Sequence, residues 1–114
     1  MKGYQMADAR VTVVKRAWHE EITEAYLDKT FSPAGLAPCQ EFEDGQVFLV
    51  KGTPGPQKPE GFPCGWAWAD LQRALTTILL GGDAPWINRP GSIVACCSDG
   101  LRPVSFLIER IENR

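Results

Sequence analysis

Proline and glycine divide this chain into short segments, and this division restricts its fold more than any other feature. The stretch from Gly52 to Pro63 contains four prolines and three glycines, which excludes a regular helix or strand there. Further breaks at Ser32–Gly35 and at Gly81 and Gly82 separate the remaining apolar segments. The chain must therefore form short elements joined by exposed loops, the longest of which can flank a binding site.

The segments between these breaks have the periodicities of strands and helices. β-Branched or alternating apolar residues predict strands at 10–17, 46–51, 92–97 and 102–111. Apolar residues at helical spacing predict helices at 19–29 and 65–80. We expect a flexible N-terminal arm over 1–9 and one domain over 10–114. The order β-α-β-α-β-β predicts a small α+β domain with two helices packed on a mainly antiparallel sheet.

Each predicted helix has an apolar stripe that we expect to face the sheet. The first stripe consists of Trp18, Ile22, Ala25 and Tyr26, and the second of Trp68, Leu71, Leu75, Ile78 and Leu79. The last two strands flank Ser98-Asp99-Gly100-Leu101, whose Asp-Gly pair favours a tight turn. That turn places Cys97 opposite Arg102 and on the same face as Ala95, although a slip of one residue would present Cys96 instead.

Composition excludes several classes of partner. The 114 residues have 12 basic and 14 acidic side chains, a net charge of −2 that argues against nucleic-acid binding. No run approaches the roughly 18 apolar residues that span a bilayer, which argues against a membrane partner. Residues 1–10 lack the apolar region of a secretory signal, so we expect a cytoplasmic protein with mostly free thiols.

Cys64 is the strongest candidate for a catalytic side chain. It stands at or just before the start of the second helix, where free N–H groups and the helix dipole favour a thiolate. The alternative is a small buried hydrophobic residue at a helix entry. Cys97, Asp99 and Arg102 are its predicted partners, because turns present functional groups and a guanidinium binds carboxylate or phosphate. Alternatively, Asp99 serves the turn and Arg102 pairs with a surface acid.

Four further side chains are predicted to contact a ligand. They are Phe62, Trp66, Trp86 and Cys96. Aromatic side chains near one turn can line an apolar pocket for a small molecule. Core packing is the alternative, and we favour it for Trp68 because this residue lies on the helix stripe.

The cysteines suggest a second kind of site. Cys39, Cys64, Cys96 and Cys97 together would suit zinc or an iron–sulfur cluster, both of which bind thiolates. Their spacing, however, includes no Cys-x-x-Cys pair. A metal is therefore an alternative to the small-molecule site and not the leading hypothesis.

The segment Cys96–Val104 resembles the C-terminal signature Cys-Cys-x-Asp-Gly-Leu-Arg-Pro-Val of a family of small bacterial and archaeal proteins without an assigned reaction. Further blocks of the resemblance are Pro38-Cys39, Pro59-Glu60-Gly61-Phe62, Trp66-Ala67-Trp68-Ala69-Asp70 and Pro85-Trp86. It covers most of the chain from about Val11 onward. The chain departs from the pattern at Pro63, which separates Phe62 from Cys64. The resemblance implies that the cysteines, Asp99, Arg102 and the tryptophans belong to the family pattern, and it implies no activity.

Three functions are compatible with these residues. The first is a site that binds a small anionic or aromatic molecule and that, if the protein is an enzyme, also transforms it. The second is a cysteine-ligated metal or iron–sulfur protein that assists a larger redox enzyme. The third is an interaction module, either an oligomer or the partner of another chain, whose cysteines are structural.

Overall fold

The computed structural model describes residues 5–28, 30 and 36–111. The elements follow the order β1 (Asp8–Arg16), α1 (Glu20–Tyr26), β2 (Val47–Val50), α2 (Gly65–Asp70), α3 (Gln72–Leu79), β3 (Ser92–Cys96) and β4 (Val104–Ile111). The predicted α+β class and the predicted alternation of strands and helices are confirmed. No helix of the described ranges is long and apolar enough to cross a membrane.

The four strands form one antiparallel sheet in the order β2-β1-β4-β3. Val11 in the central strand β1 lies opposite Phe48 on one side and Ile108 on the other. β1 begins at Asp8, two residues before its predicted start, and Ala9 is fully buried. Part of the predicted arm therefore belongs to the sheet, and residues 1–4 lie outside the described residues.

The second predicted helix is divided into α2 and α3 at Leu71, whose backbone has φ −81° and ψ −9°. The backbone N–H of Leu71 still donates to the carbonyl of Ala67, and its own carbonyl accepts from Leu75. The division therefore leaves Leu71 and Leu75 fully buried, as the predicted stripe requires.

The core fills the space between α2, α3 and one face of the sheet. Its central strand residues are Val11, Val13, Phe106 and Ile108. Three further phenylalanines, Phe42, Phe48 and Phe62, belong to the same core. Phe42 makes edge-to-face contacts with Phe48, Phe62 and Phe106, with ring centroids 6.2, 5.4 and 5.2 Å away. Phe42 thereby fixes the long loop before β2 to the centre of the core.

The predicted stripe of α1 is not part of the core. Ile22 and Tyr26 are 45% and 82% exposed, whereas Thr23 is buried. The Thr23 hydroxyl donates to the His19 carbonyl over 2.8 Å and accepts from the Trp18 indole N–H over 3.1 Å. These bonds orient the seven-residue helix with its polar Thr23 inward, so helical spacing alone misassigned its buried face.

Candidate functional site

The hairpin of β3 and β4 carries the predicted site, in a register two residues away from the expected one. Ala95 pairs with Phe106, and Cys97 lies opposite Val104, to whose carbonyl its backbone N–H donates, and not opposite Arg102 as predicted. The connection is therefore the six-residue loop 98–103. An even shift preserves the faces of a strand. Cys97 accordingly remains on the core side with Ala95.

Two carboxylates hold the loop 98–103 in place. Asp99 Oδ1 accepts from the backbone N–H groups of Leu101 and Arg102 over 2.8 and 3.2 Å. Asp70 Oδ2, at the end of α2, accepts from the backbone N–H of Ser98 over 2.7 Å. Asp99 therefore has the turn role that was its alternative interpretation.

The segment that follows β1 supports the same loop from its other side. The backbone N–H of Ala17 donates to Pro103 over 2.8 Å, and that of His19 donates to Leu101 over 2.9 Å. Together with the two carboxylates, these bonds fix the backbone from which the Arg102 side chain extends.

Two cysteine sulfurs accept backbone hydrogen bonds. Cys64 is the N-cap of α2, and its Sγ accepts from the N–H of Ala67 over 3.4 Å. Cys97 Sγ accepts from the N–H of Val104 over 3.3 Å. Both sulfurs therefore have fixed positions, and Cys64 stands at the helix start that the sequence predicted.

Arg16 fixes the segment that contains Cys39. Its Nη1 donates to the carbonyl oxygen of Cys39 over 2.9 Å, and its Nε donates to Asp44 Oδ1 over 3.0 Å. The hydrogen bond from Arg16 lowers the pKa of the exposed Asp44 carboxyl. Arg16 at the end of β1 thus aligns the loop before β2 with the sheet.

The segment around Cys39, the start of α2 at Cys64 and the loop 98–103 enclose a cavity of about 170 Å³. Its lining residues are Cys39, Glu41, Phe42, Cys64, Trp66, Ala67, Asp70, Cys97, Ser98, Asp99, Arg102 and Val104. Five predicted catalytic or ligand-binding residues are therefore brought together, namely Cys64, Trp66, Cys97, Asp99 and Arg102. Cys39, which was predicted only as a metal ligand, is the third thiol of the cavity.

The cavity has an apolar floor and a charged rim. Phe42, Ala67 and Val104 are buried at 2%, 1% and 1% exposure. At the rim, Arg102 Nε lies 3.8 Å from Asp99 Oδ2. Glu41 and Asp70 add two further carboxylates. The lining therefore has an excess of negative charge around an apolar interior.

Three predicted ligand contacts lie elsewhere. Phe62 is 5% exposed and packs on Phe42 and Phe48 in the core, which is the alternative stated for aromatic residues. Trp86 is 78% exposed and stands beside Val94, away from the cavity. Cys96 is on the opposite side of its strand from Cys97, because successive side chains of a strand alternate.

The four cysteines do not assemble as the predicted metal site. All four are free, and Cys96 does not line the cavity that contains the other three. Across residues 5–28, 30 and 36–111, no group of three or more cysteine, histidine, aspartate or glutamate side chains could hold a metal ion. The structure therefore gives the zinc and iron–sulfur hypotheses no support.

Sequence reasoning missed two important cavity residues. Phe42 is the single large apolar residue between Cys39 and Gln46, and such an isolated side chain in a polar loop indicates an anchor. Asp70 follows two tryptophans at the end of α2, and its role depends on the distant Ser98. Only the first of these had a local signal in the sequence.

Comparisons with protein-family models, with curated proteins and with solved structures gave no match to this chain.

Proposed function

We propose that the cavity between Cys39, Cys64 and Cys97 binds a small molecule with an apolar, ring-sized body. The observation that carries this proposal is the convergence of three segments, distant in sequence, on one cavity of about 170 Å³. Each segment is held by hydrogen bonds of its own, so the cavity does not depend on a single contact. Pre-organisation of this kind is typical of small-molecule sites.

The size of the cavity supports a ligand of one ring. An apolar cavity of roughly 150 Å³ accommodates benzene in a protein interior. The volume here is about 170 Å³, which is smaller than the sites of drug-sized molecules. The ring would rest on Phe42 and Val104, with Trp66 at the mouth.

The charges favour an aromatic ligand over an anionic one. Arg102 is the cation of the lining, and Asp99 already lies beside it. Glu41 and Asp70 would repel an anion from the same rim. Of the two ligand classes that the sequence suggested, we therefore propose a neutral ring with a polar substituent directed at Arg102.

The thiols contribute a soft, polarisable wall. Cysteine sulfur packs favourably against aromatic groups and is a weak hydrogen-bond acceptor. This role requires free thiols, which is the state of all four cysteines. A reducing compartment, the cytoplasm, is accordingly part of the proposal.

Two alanines of α2 provide a matched test. Ala67 is buried and lines the cavity, whereas Ala69 is exposed on the same helix. The assay is a titration with single-ring fragments such as phenol and aniline, followed by protein NMR. We expect Ala67→Val to fill the cavity and weaken binding at least tenfold, and Ala69→Val to leave it unchanged.

A variant at the cavity mouth keeps the test valid if Ala67→Val does not fold. Trp66 is 84% exposed, so Trp66→Ala leaves the core intact. We expect this change to weaken fragment binding about twofold or more, since an aromatic pair contributes roughly 0.5–1.5 kcal/mol. Fragment binding that neither variant alters would refute the proposed site.

A further inference from the structure

The backbone of β3 has unpaired hydrogen-bonding groups at one edge of the sheet, where β3 is the last strand. In an antiparallel pair, alternate residues direct both their N–H and C=O groups to the partner strand. Just after β3, the backbone N–H of Cys97 donates to Val104. Just before β3, the carbonyl oxygen of Gly91 accepts from Arg110, so the odd-numbered residues of the strand face β4. The backbone groups of Val94, at the centre of the strand, therefore point away from the sheet.

β3 has none of the features that commonly keep a free edge from pairing. Natural sheets protect their edges with lysine, with proline or with a bulge. Ser92–Cys96 contains no charged residue and no proline, and it pairs with β4 in continuous register. Val94 is exposed, and so is Trp86 beside it. This edge is therefore open to a further strand, and exposed apolar side chains flank it.

A groove of about 600 Å³ lies between this edge and α3, and its charged residues follow a fixed order. Asp70 at the end of α2 accepts from the N–H of Ser98, just beyond the C-terminal end of β3. Asp83 accepts from the N–H of Gly91, just before the N-terminal end of β3. Arg73, three residues after Asp70, has no ion-pair partner in the part of the chain that the structure describes. Arg73 and Asp83 therefore lie towards opposite ends of the groove.

We propose that this edge binds a second copy of the chain, with two β3 strands paired antiparallel about a two-fold axis at Val94. Full overlap of the five-residue strand requires this register, which places Ser92 opposite Cys96 of the second copy. Each outward-facing residue then exchanges two hydrogen bonds with the residue opposite it. The two four-stranded sheets become one continuous sheet. The interface contains none of the three cavity thiols, so this association does not depend on the proposed ligand.

The same axis brings α3 of both copies to one side of the combined sheet, because a two-fold axis perpendicular to a sheet does not exchange its faces. α3 packs over β3 and β4. Since neighbouring strands are about 4.8 Å apart, the two helix axes would be roughly 10–14 Å apart. A helix with its side chains is about 10–12 Å wide, so the two helices would form opposite walls of one shared groove.

The charges of this shared groove are complementary. Antiparallel pairing reverses the order of residues, so Arg73 of each copy faces Asp83 of the other. Asp83 pairs through Oδ1 with Arg110 over 3.2 Å, and its side chain is 51% exposed, so its second oxygen can accept from a further cation. Each end of the groove then contains two carboxylates and two guanidinium groups, namely Asp70, Arg73, and Asp83 and Arg110 of the second copy. An acidic peptide would add a charge to these carboxylates, whereas a second copy brings a cation for each carboxylate.

Sedimentation of the whole protein between roughly 10 μM and 1 mM measures this association. We expect a reversible monomer–dimer equilibrium within this range. Arg73→Glu replaces an attraction by a repulsion at both symmetric ends, and it should raise the dimer Kd about fivefold or more. Lys58→Glu is the matched control, because it makes the same change of charge at an exposed side chain that does not line the groove. It should change the Kd less than about twofold.

A proline at the axis tests the backbone pairing. The N–H of Val94 faces the free edge, so Val94→Pro removes a donor that the fold does not use. The dimer then loses one hydrogen bond in each direction. We expect its Kd to be about fivefold or more above that of Val94→Thr, which keeps the N–H.

Hydrogen exchange followed by mass spectrometry tests the interface in the unmodified protein and compares the two edges of the sheet. The peptide that contains Ser92–Cys96 should exchange more slowly at roughly 1 mM than at roughly 10 μM. The peptide that contains Val47–Val50, the other edge strand, should exchange at the same rate at both concentrations.

Three results would overturn the proposal. The first is a protein that stays monomeric up to about 1 mM. The second is equal association of Val94→Pro and Val94→Thr. The third is concentration-dependent protection of Val47–Val50 in place of Ser92–Cys96, which would assign the interface to the other edge.

Discussion

Substitution of Phe42 by leucine should destabilise the protein and expose Cys39. Phe42 is 2% exposed and contacts three other phenylalanine rings. Truncation of a buried phenylalanine to alanine costs roughly 3–5 kcal/mol. Leucine retains much of the volume but loses the aromatic contacts, each of which contributes about 0.5–1.5 kcal/mol. We therefore expect Phe42→Leu to lower the free energy of unfolding by about 2–3 kcal/mol.

Thermal unfolding followed by circular dichroism measures this loss. For a domain of this size, the expected change lowers Tm by roughly 10 °C. Tyr26→Leu is the matched control, because it removes an aromatic ring that is 82% exposed, and we expect a change within about 0.5 kcal/mol. Cys39 should also react faster with iodoacetamide in Phe42→Leu. Equal stabilities of the two variants would refute the assignment of Phe42 as the anchor of this loop.

Three further predictions concern single residues. Arg16→Gln should raise the pKa of the Asp44 carboxyl, read by NMR titration. The variant should be less stable than the original protein near neutral pH, and this difference should narrow as the pH falls through the folded pKa of Asp44, leaving the part due to the Arg16–Cys39 hydrogen bond. Gly52→Ala places a methyl group on a backbone carbonyl oxygen and should cost about 1–3 kcal/mol in urea unfolding, whereas Gly55→Ala faces open space and should cost nothing measurable. Partial burial raises the pKa of the Cys96 thiol, so its alkylation rate should rise at a higher pH than that of glutathione, and coincident profiles would contradict this.

The sequence predicted those parts of the fold that depend on local periodicity. Alternating apolar residues located all four strands, and Leu71 and Leu75 lie on the buried stripe as expected. The register of the last hairpin was wrong by two residues, because Asp99 organises a longer loop than an Asp-Gly turn requires. The sequence left open whether Cys97 or Cys96 faces the site, and the observed register keeps Cys97 on that face because an even shift preserves the faces.

The parts that failed depend on tertiary contacts. The stripe of α1 contains Ile22 and Tyr26, but the hydrogen bonds of Thr23 turn that stripe to solvent. Phe62 and Trp86 are both aromatic and near breaks in the chain. One is in the core and the other is 78% exposed, and nothing in their local sequence distinguishes these positions. Their assignment requires the path of the loops, which spacing does not provide.

Cys39, Cys64 and Cys97 share one small cavity from which Cys96 is excluded. Mass spectrometry of the folded protein after exhaustive treatment with N-ethylmaleimide tests it directly. A cavity of about 170 Å³ has room for one such adduct, so we expect two adducts per chain. One adduct should be on Cys96, and the other should be distributed over the three cavity thiols. After denaturation, all four cysteines should carry an adduct. Three or four adducts on a chain that retains its native circular dichroism spectrum would contradict a shared cavity of this size.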